Sequence, residues 1–313
     1  MPTHEDLRAT LLRLDGRGYP AYKDLAPRYE FPTFTLFIDH VQGDPFASPS
    51  RLRVRVPQSV ARFGASTFTP RSREIALRDF LCRRFATACQ QVAERRGSGR
   101  SGLLAMDMPG QEILERTAVL VTADWIEARF VAGLPAAGRR ILGRQAVEML
   151  CEDLPLIVEQ ALLARSQPKE ALLEHLRVAE DADALREQLD ALGLVAFVAD
   201  GAILPRRSGV DDRPLERRAV PFISPESLRV TVELPHAGRI TGMGIPRGVT
   251  LIVGGGYHGK STLLSAIERG VYNHIPGHGR ERVVTHPAAV KVRAEDGRRI
   301  AGVDISPFIT NLP

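Results

Sequence analysis

Nine consecutive residues have the types and spacing to hold phosphate: Gly254, Gly255, Gly256, Tyr257, His258, Gly259, Lys260, Ser261 and Thr262. They contain G-x-x-x-x-G-K-[ST]. Glycines let the backbone turn so that successive N–H groups face an anion, and a following helix adds partial positive charge at its N-terminus. In such a loop Lys260 reaches the β and γ phosphates and Ser261 offers its hydroxyl to Mg²⁺. Tyr257 and His258 could touch phosphate or base, or face solvent. The lysine is conspicuous because the chain holds 42 basic residues, of which only Lys23, Lys169, Lys260 and Lys291 are lysine. A compact ammonium enters a phosphate cluster where the planar guanidinium fits poorly.

The flanks fit the loop. Val249-Thr-Leu-Ile-Val253 is an apolar, β-branched run of the kind found in a buried strand, and Leu263, Leu264 and Ile267 follow at helical spacing. Gly254, Gly256 and Gly259 also satisfy G-x-G-x-x-G, the dinucleotide fingerprint. That alternative requires an acidic residue about twenty positions on, at the end of the next strand. The next apolar run, Arg282-Val-Val-Thr285, ends instead in His286-Pro287.

Upstream, Thr3 with Asp6 forms a capping-box pattern for a helix to about Leu14. Thr33–Ile38 is expected to be a strand. Arg51-Leu-Arg-Val-Arg-Val56 alternates strictly, so it is expected to be a strand with one wet, basic face. Ser72–Arg96 has a helical stripe, and Leu103–Asp107, Ala118–Thr122 and Trp125–Val131 are strand candidates. Two helices are expected at about Ile141–Ala164 and Lys169–Ala191, with Pro155 kinking or splitting the first. The apolar run 193–198 ends in an Asp200-Gly201 turn. The Pro-, Arg- and Asp-rich stretch between Pro205 and Pro225 is expected to be the domain boundary, giving an N-terminal α/β domain at 1–210 and a nucleotide-binding domain at 211–313.

The chain's 313 residues and 44% hydrophobic content suffice for two cores. No run of eighteen apolar residues is present, so no membrane span is expected. Cys82, Cys89 and Cys151 form no C-x-x-C, and Cys82 and Cys89 lie two helical turns apart, about 10 Å, too far for a disulfide. Such thiols suit a reducing cytoplasm. Net charge is +5, with arginine clusters at 83–84, 95–96, 139–140, 206–207 and 217–218. These could neutralise phosphates of RNA, but no aromatics interleave with them, and solvated faces are the simpler account. His274 and His278 stand four apart among Pro276, Gly277 and Gly279, so a loop is expected there in place of a ligand-bearing helix. Asp107, Asp124 and Glu127 are expected at surface turns.

Gly244-Ile-Pro-Arg-Gly-Val-Thr-Leu-Ile-Val-Gly-Gly-Gly-Tyr-His-Gly-Lys-Ser-Thr-Leu-Leu264 closely resembles the family described as predicted ATPases of the ABC class. So do Phe197-Val-Ala-Asp-Gly-Ala-Ile-Leu-Pro-Arg206 with Ser208-Gly209, Gly16-Arg-Gly-Tyr-Pro-Ala-Tyr-Lys23, and Asp304-Ile-Ser-Pro-Phe-Ile-Thr-Asn-Leu-Pro313. The resemblance covers nearly the whole chain. It implies an N-terminal α/β domain followed by the first part of an ABC-type P-loop domain, binding of Mg-ATP through Gly254–Thr262 (the Walker A loop), and a homodimer closing through the ATPase domain. Family chains continue further, so the signature and Walker B segments are expected beyond residue 313 and hydrolysis by residues 1–313 alone is expected to be negligible. Asn311 would approach the γ-phosphate water, and Phe222 and His236 are the nearby candidates for an adenine-stacking ring. A different function class also fits the arginine content: a nucleic-acid-binding protein that uses its N-terminal domain on RNA, with the nucleotide as a switch.

Overall fold

A computed structural model describes residues 1–92 and 94–292, together with 301, 302 and 304. The role expected of Asn311 lies outside the described residues.

The first sheet is antiparallel. Its order is Arg28–Glu30, Thr35–His40, Ser50–Pro57, Trp125–Ala132 and Leu104–Ala105, and Val119–Val121 pairs with the same edge of Trp125–Ala132. Strict alternation in Ser50–Pro57 sends Leu52, Val54 and Val56 inward and leaves Arg51, Arg53 and Arg55 on the other face. The inward face packs on the Arg71–Val92 helix, where Phe85 and Phe130 meet with ring centroids 5.3 Å apart. Cys82 and Cys89 are buried free thiols on that helix. The Thr3–Asp6 capping box forms as expected at the start of His4–Arg13.

Pro155 leaves a visible mark. The helix expected from Ile141 to Ala164 runs as Gly143–Val147, a π-helical segment Glu148–Asp153, and Leu154–Leu162. Proline lacks the N–H that a regular turn needs, and the wider π turn immediately before it absorbs the mismatch. The next helix, Lys169–Ala191, has the expected limits.

A second antiparallel sheet has the order Arg229–Leu234, Gly238–Pro246, Leu194–Ala199 and Val283–Thr285. Leu194–Ala199 thus shares a sheet with strands that follow it in the chain. Apart from the exposed Val195, that apolar strand is covered on both faces. Leu194, Phe197 and Ala199 pack with Leu185 and Leu189 of the Lys169–Ala191 helix, while Ala196 and Val198 pack with Ala266 of the Lys260–Arg269 helix.

Where the two helices Arg71–Val92 and Lys169–Ala191 meet, Asp79 is fully buried. Arg83 Nε and Arg116 Nε donate to its carboxylate at 2.7 and 2.8 Å, and His175 Nε2 lies 3.4 Å away. Burial pushes the Asp79 carboxyl up, but hydrogen bonds and charge from His175, Arg83 and Arg116 outweigh it, and the net shift is below the usual carboxylate range. Asp79→Ala strands two guanidinium groups and is expected to cost about 3 to 5 kcal/mol in urea denaturation. Because the folded pKa is depressed, this stabilisation is complete above the ordinary Asp value of about 3.9 and disappears as pH falls through the lower folded value. The Asp79→Ala penalty should therefore shrink in acid; a penalty constant between pH 7 and pH 2 would contradict the assignment.

Between Pro205 and Pro225 the backbone is irregular, and Arg207, Arg217 and Arg218 are exposed. Trypsin is expected to cut there first. First cleavage within Leu103–Val131, where the sheet forms, would contradict it.

Candidate nucleotide site

The Lys260–Arg269 helix begins at Gly259, whose backbone is left-handed at φ 81°. A residue with a side chain is strained there, so the second fixed glycine of the motif is a geometric requirement. Tyr257 also lies in the left-handed region at φ 61°, and its ring points fully into solvent. The loop folds back on the helix start. Lys260 Nζ donates to the carbonyls of Gly254 and Gly255 at 2.8 and 2.5 Å. The Gly255 N–H donates to His258 Nδ1 at 3.1 Å. Ser261 and Thr262 stand on the first turn, Ser261 exposed.

The expected buried strand at Val249–Val253 does not form. Val249, Leu251 and Val253 are 83%, 80% and 82% exposed. An apolar run becomes a buried strand only where neighbouring strands satisfy its N–H and C=O groups. Among the described residues none pairs with this one.

Packing positions the helix. Leu263, Ala266 and Ile267 lie against the second sheet. Thr285 Oγ1 donates to the Ile267 carbonyl at 2.6 Å, and the Thr285 N–H donates to the Gly270 carbonyl at 2.8 Å. A Cβ on Gly270 would come within 2.6 Å of Thr285 Oγ1, so a glycine must end the helix here.

A cleft of about 840 Å³ opens beside the loop. Lys260, Thr262, Tyr257 and His258 line one side, and Arg218, Val220, Phe222 and Ile223 line the other. Its described lining holds no carboxylate. Asp200 anchors this second wall. Its carboxylate accepts the Ser224 N–H at 2.5 Å, the Ser224 hydroxyl at 3.0 Å and the Thr241 hydroxyl at 2.8 Å. Phe222 and Ala202 or Gly201 exchange backbone hydrogen bonds at 2.9 and 2.8 Å. Phe222, a poorly placed candidate by sequence position, is thus carried to the cleft by a turn of the chain at Asp200-Gly201. His236 is not there: its Nε2 lies 2.6 Å from Glu180. Arg218 was missed, since in sequence it is one member of an ordinary arginine pair.

The expected loop at His274 and His278 is a packed element. The two rings are 1% and 2% exposed and stack with centroids 4.5 Å apart. Arg206 Nη1 donates to His278 Nε2 at 2.9 Å, which places that neutral ring's proton on Nδ1. The Pro- and Gly-rich sequence looked like surface, but Arg206 and Arg280 close over it, donating to the carbonyls of His278 and Leu204.

Residues 168–313 match the P-loop domain of the ABC-class ATPases, and residues 4–165 match the N-terminal domain of ATPases of the ABC class. The molecule is thus a P-loop nucleotide-binding protein of mixed helices and strands. The chain belongs to the ATPases of the ABC class. An uncharacterized protein of Methanocaldococcus jannaschii is 31% identical over 175 residues. That alignment spans 53% of this chain and 37% of the relative. Among the described residues no helix is long and apolar enough to cross a membrane.

The histidine pair should make stability pH-dependent. Burial, with the charges of Arg280 and Arg206, lowers His274 to about 3; burial, His274 and Arg206 lower His278 to about 3. Both rings stay neutral in the fold and protonate in the unfolded chain near 6.5. The unfolded state therefore binds more protons between those values, and stability falls as pH is lowered through that window. From pH 6.5 to 5 the loss is about 2 kcal/mol per histidine. Urea midpoints at pH 7 and pH 5 check this, and His274→Gln with His278→Gln should flatten the dependence. An unchanged slope in the double variant would exclude the pair as its source.

Proposed function

We propose that the chain binds Mg-ATP through Gly254–Thr262 as the nucleotide-handling part of an ABC-class ATPase. The observation that carries this is the Lys260 ammonium, held at the helix N-terminus within bonding distance of the Gly254 and Gly255 carbonyls, at the mouth of a cleft with an apolar far wall. The glycine N–H groups and the helix N-terminus receive the phosphates, and Lys260 moves from the carbonyls to the β and γ oxygens. The exposed Ser261 hydroxyl would hold Mg²⁺ beside the phosphates. Tyr257 and His258 border the phosphates, and Thr262 supports them from the first turn. The base rests toward Val220 and Phe222.

Mg²⁺, when bound, neutralises charge that develops on the transferring phosphoryl group. A water-orienting group and a metal-holding carboxylate are not supplied by the described cleft lining, so hydrolysis depends on groups outside it. We place the protein in the cytoplasm, acting as a homodimer through this domain; sedimentation with and without Mg-ATP tests that.

Calorimetry tests the site. Lys260→Ala removes a charge-assisted contact and is expected to cost about 2 to 3 kcal/mol, roughly 30- to 150-fold in Kd. Ser261→Ala should reduce the gain from Mg²⁺ more than it reduces Mg²⁺-free binding. Phe222→Ala should weaken ATP but leave inorganic triphosphate unchanged. Equal ATP affinity for wild type and Lys260→Ala would overturn the assignment.

A further inference from the structure

The N-terminal sheet has a second face that its core does not use. Strand register puts Phe37, Arg53 and Arg129 side by side across three strands, and Thr35, Arg55 and Glu127 in the next such row. The Arg53 guanidinium lies over the Phe37 ring at 3.9 Å, and that of Arg55 over Trp125 at 4.4 Å. Glu127, expected at a surface turn, is instead in mid-strand and 1% exposed. Its Oε2 accepts from Arg53 Nη1 at 2.9 Å and from Arg55 Nη2 at 2.7 Å, and its Oε1 from Arg129 Nε at 3.0 Å. One carboxylate therefore fixes three guanidinium groups on an open sheet.

Charge balance shows that this is more than a satisfied ion pair. On these strands the face carries Arg28, Arg51, Arg53, Arg55 and Arg129 against Glu30, Asp39 and Glu127, an excess of two positive charges. Each guanidinium has five donors, and Glu127 and Asp39 engage only some of them. Arg51 and Arg129 are exposed. The rings of Phe37 and Trp125 are neither in the core nor fully free; each is extended by a planar cation. Such planes stack on nucleobases, which also stack on the guanidinium itself. The two platforms are bridged by one guanidinium, because Arg55 lies 4.4 Å from the Trp125 ring and also 5.4 Å from the Phe37 ring. Neighbouring bases of one strand can cover both.

We propose that this face binds single-stranded nucleic acid, with Arg51 and Arg129 on phosphates and the Phe37–Arg53 and Trp125–Arg55 stacks under bases. An acidic peptide would answer the charge but leave the stacked planes without a purpose. A duplex hides the base faces that they would meet. The surface is separate from the phosphate loop and does not depend on the nucleotide reading.

Trp125 is the only tryptophan of the chain, so its fluorescence reports directly from the site. Titration of the whole chain with twelve-nucleotide oligo-U and oligo-dT at low salt should give saturable quenching; a preference between them tells whether RNA or DNA is the better ligand. Arg51→Gln and Arg129→Gln, both at exposed positions, should each lower the slope of log K against log salt by about one. Lys260→Ala should change nothing. Phe37→Leu, which keeps an apolar side chain, should weaken binding without altering that slope. Three results would overturn the proposal: no quenching by either oligonucleotide, quenching of equal strength by polyglutamate or duplex, or anisotropy-detected binding that both arginine variants leave unchanged.

Discussion

One helix serves two cores, and the placement of everything else follows from it. Lys169–Ala191 runs 23 residues, about 34 Å. Leu172, Leu176 and Ala179 belong to the N-terminal core, while Ala182, Leu185 and Leu189 belong to the core of the second sheet. Polar contacts fix the rotation about this rod. Asp181 accepts the N–H groups of His236 and Ala237 at 2.9 and 3.0 Å, holding the turn between two strands of the second sheet. Arg186 donates to Asn273 at 2.7 Å. Asn273–His274 in turn pairs with Glu112–Ile113 of the N-terminal unit. The second sheet is therefore set against the first unit by a rigid element and two clasps.

The layers then stack in a defined order: N-terminal sheet, its helix, the shared helix, the second sheet, and the phosphate-loop helix on the far side. A strand covered on both faces transmits position well because it has no wet side on which to relax. Residues 196–199 of the Leu194–Ala199 strand are such a segment. It joins the shared helix on one face to Ala266 on the other, and its end at Asp200 holds the wall bearing Phe222. The loop thus sits at the end of a packed chain of elements, while its own glycines stay exposed.

What could be read from the sequence was local. The glycine turn before the Lys260–Arg269 helix, the capping box at Thr3, the limits of Lys169–Ala191 and the basic face of Arg51–Val56 all follow from residue types at short spacing. What could not be read depends on neighbours distant in sequence. Phe37 and Arg53 are sixteen positions apart and touch only because of strand register. Glu127 looks like a turn residue until three arginines are counted around it. The His274–His278 loop sounds like surface until Arg206, from the stretch expected to be a linker, covers it. Val249–Val253 shows the reverse failure: a run with good strand composition remains irregular where no pairing partner reaches it.

The phosphate loop itself is not an empty scaffold. Its ammonium already has two carbonyl partners, and the Gly255 N–H already has an imidazole nitrogen. In the binding mode proposed above, phosphate binding would be an exchange, in which charged oxygens replace neutral acceptors. The Gly255 N–H would trade a neutral acceptor for a charged one, which makes a hydrogen bond roughly twice as strong, and Lys260 would trade carbonyl dipoles for an opposite charge. The net gain would be smaller than the full worth of the new contacts, because the old ones are given up. Lys260 stands on both sides of that proposed exchange: it ties the loop to the helix start through Gly254 and Gly255, and it would supply the charge that makes phosphate the better partner. A glutamine there could keep some of the first role but none of the second, and an arginine, with its wider planar head, would not fit between the same two carbonyls in the same way.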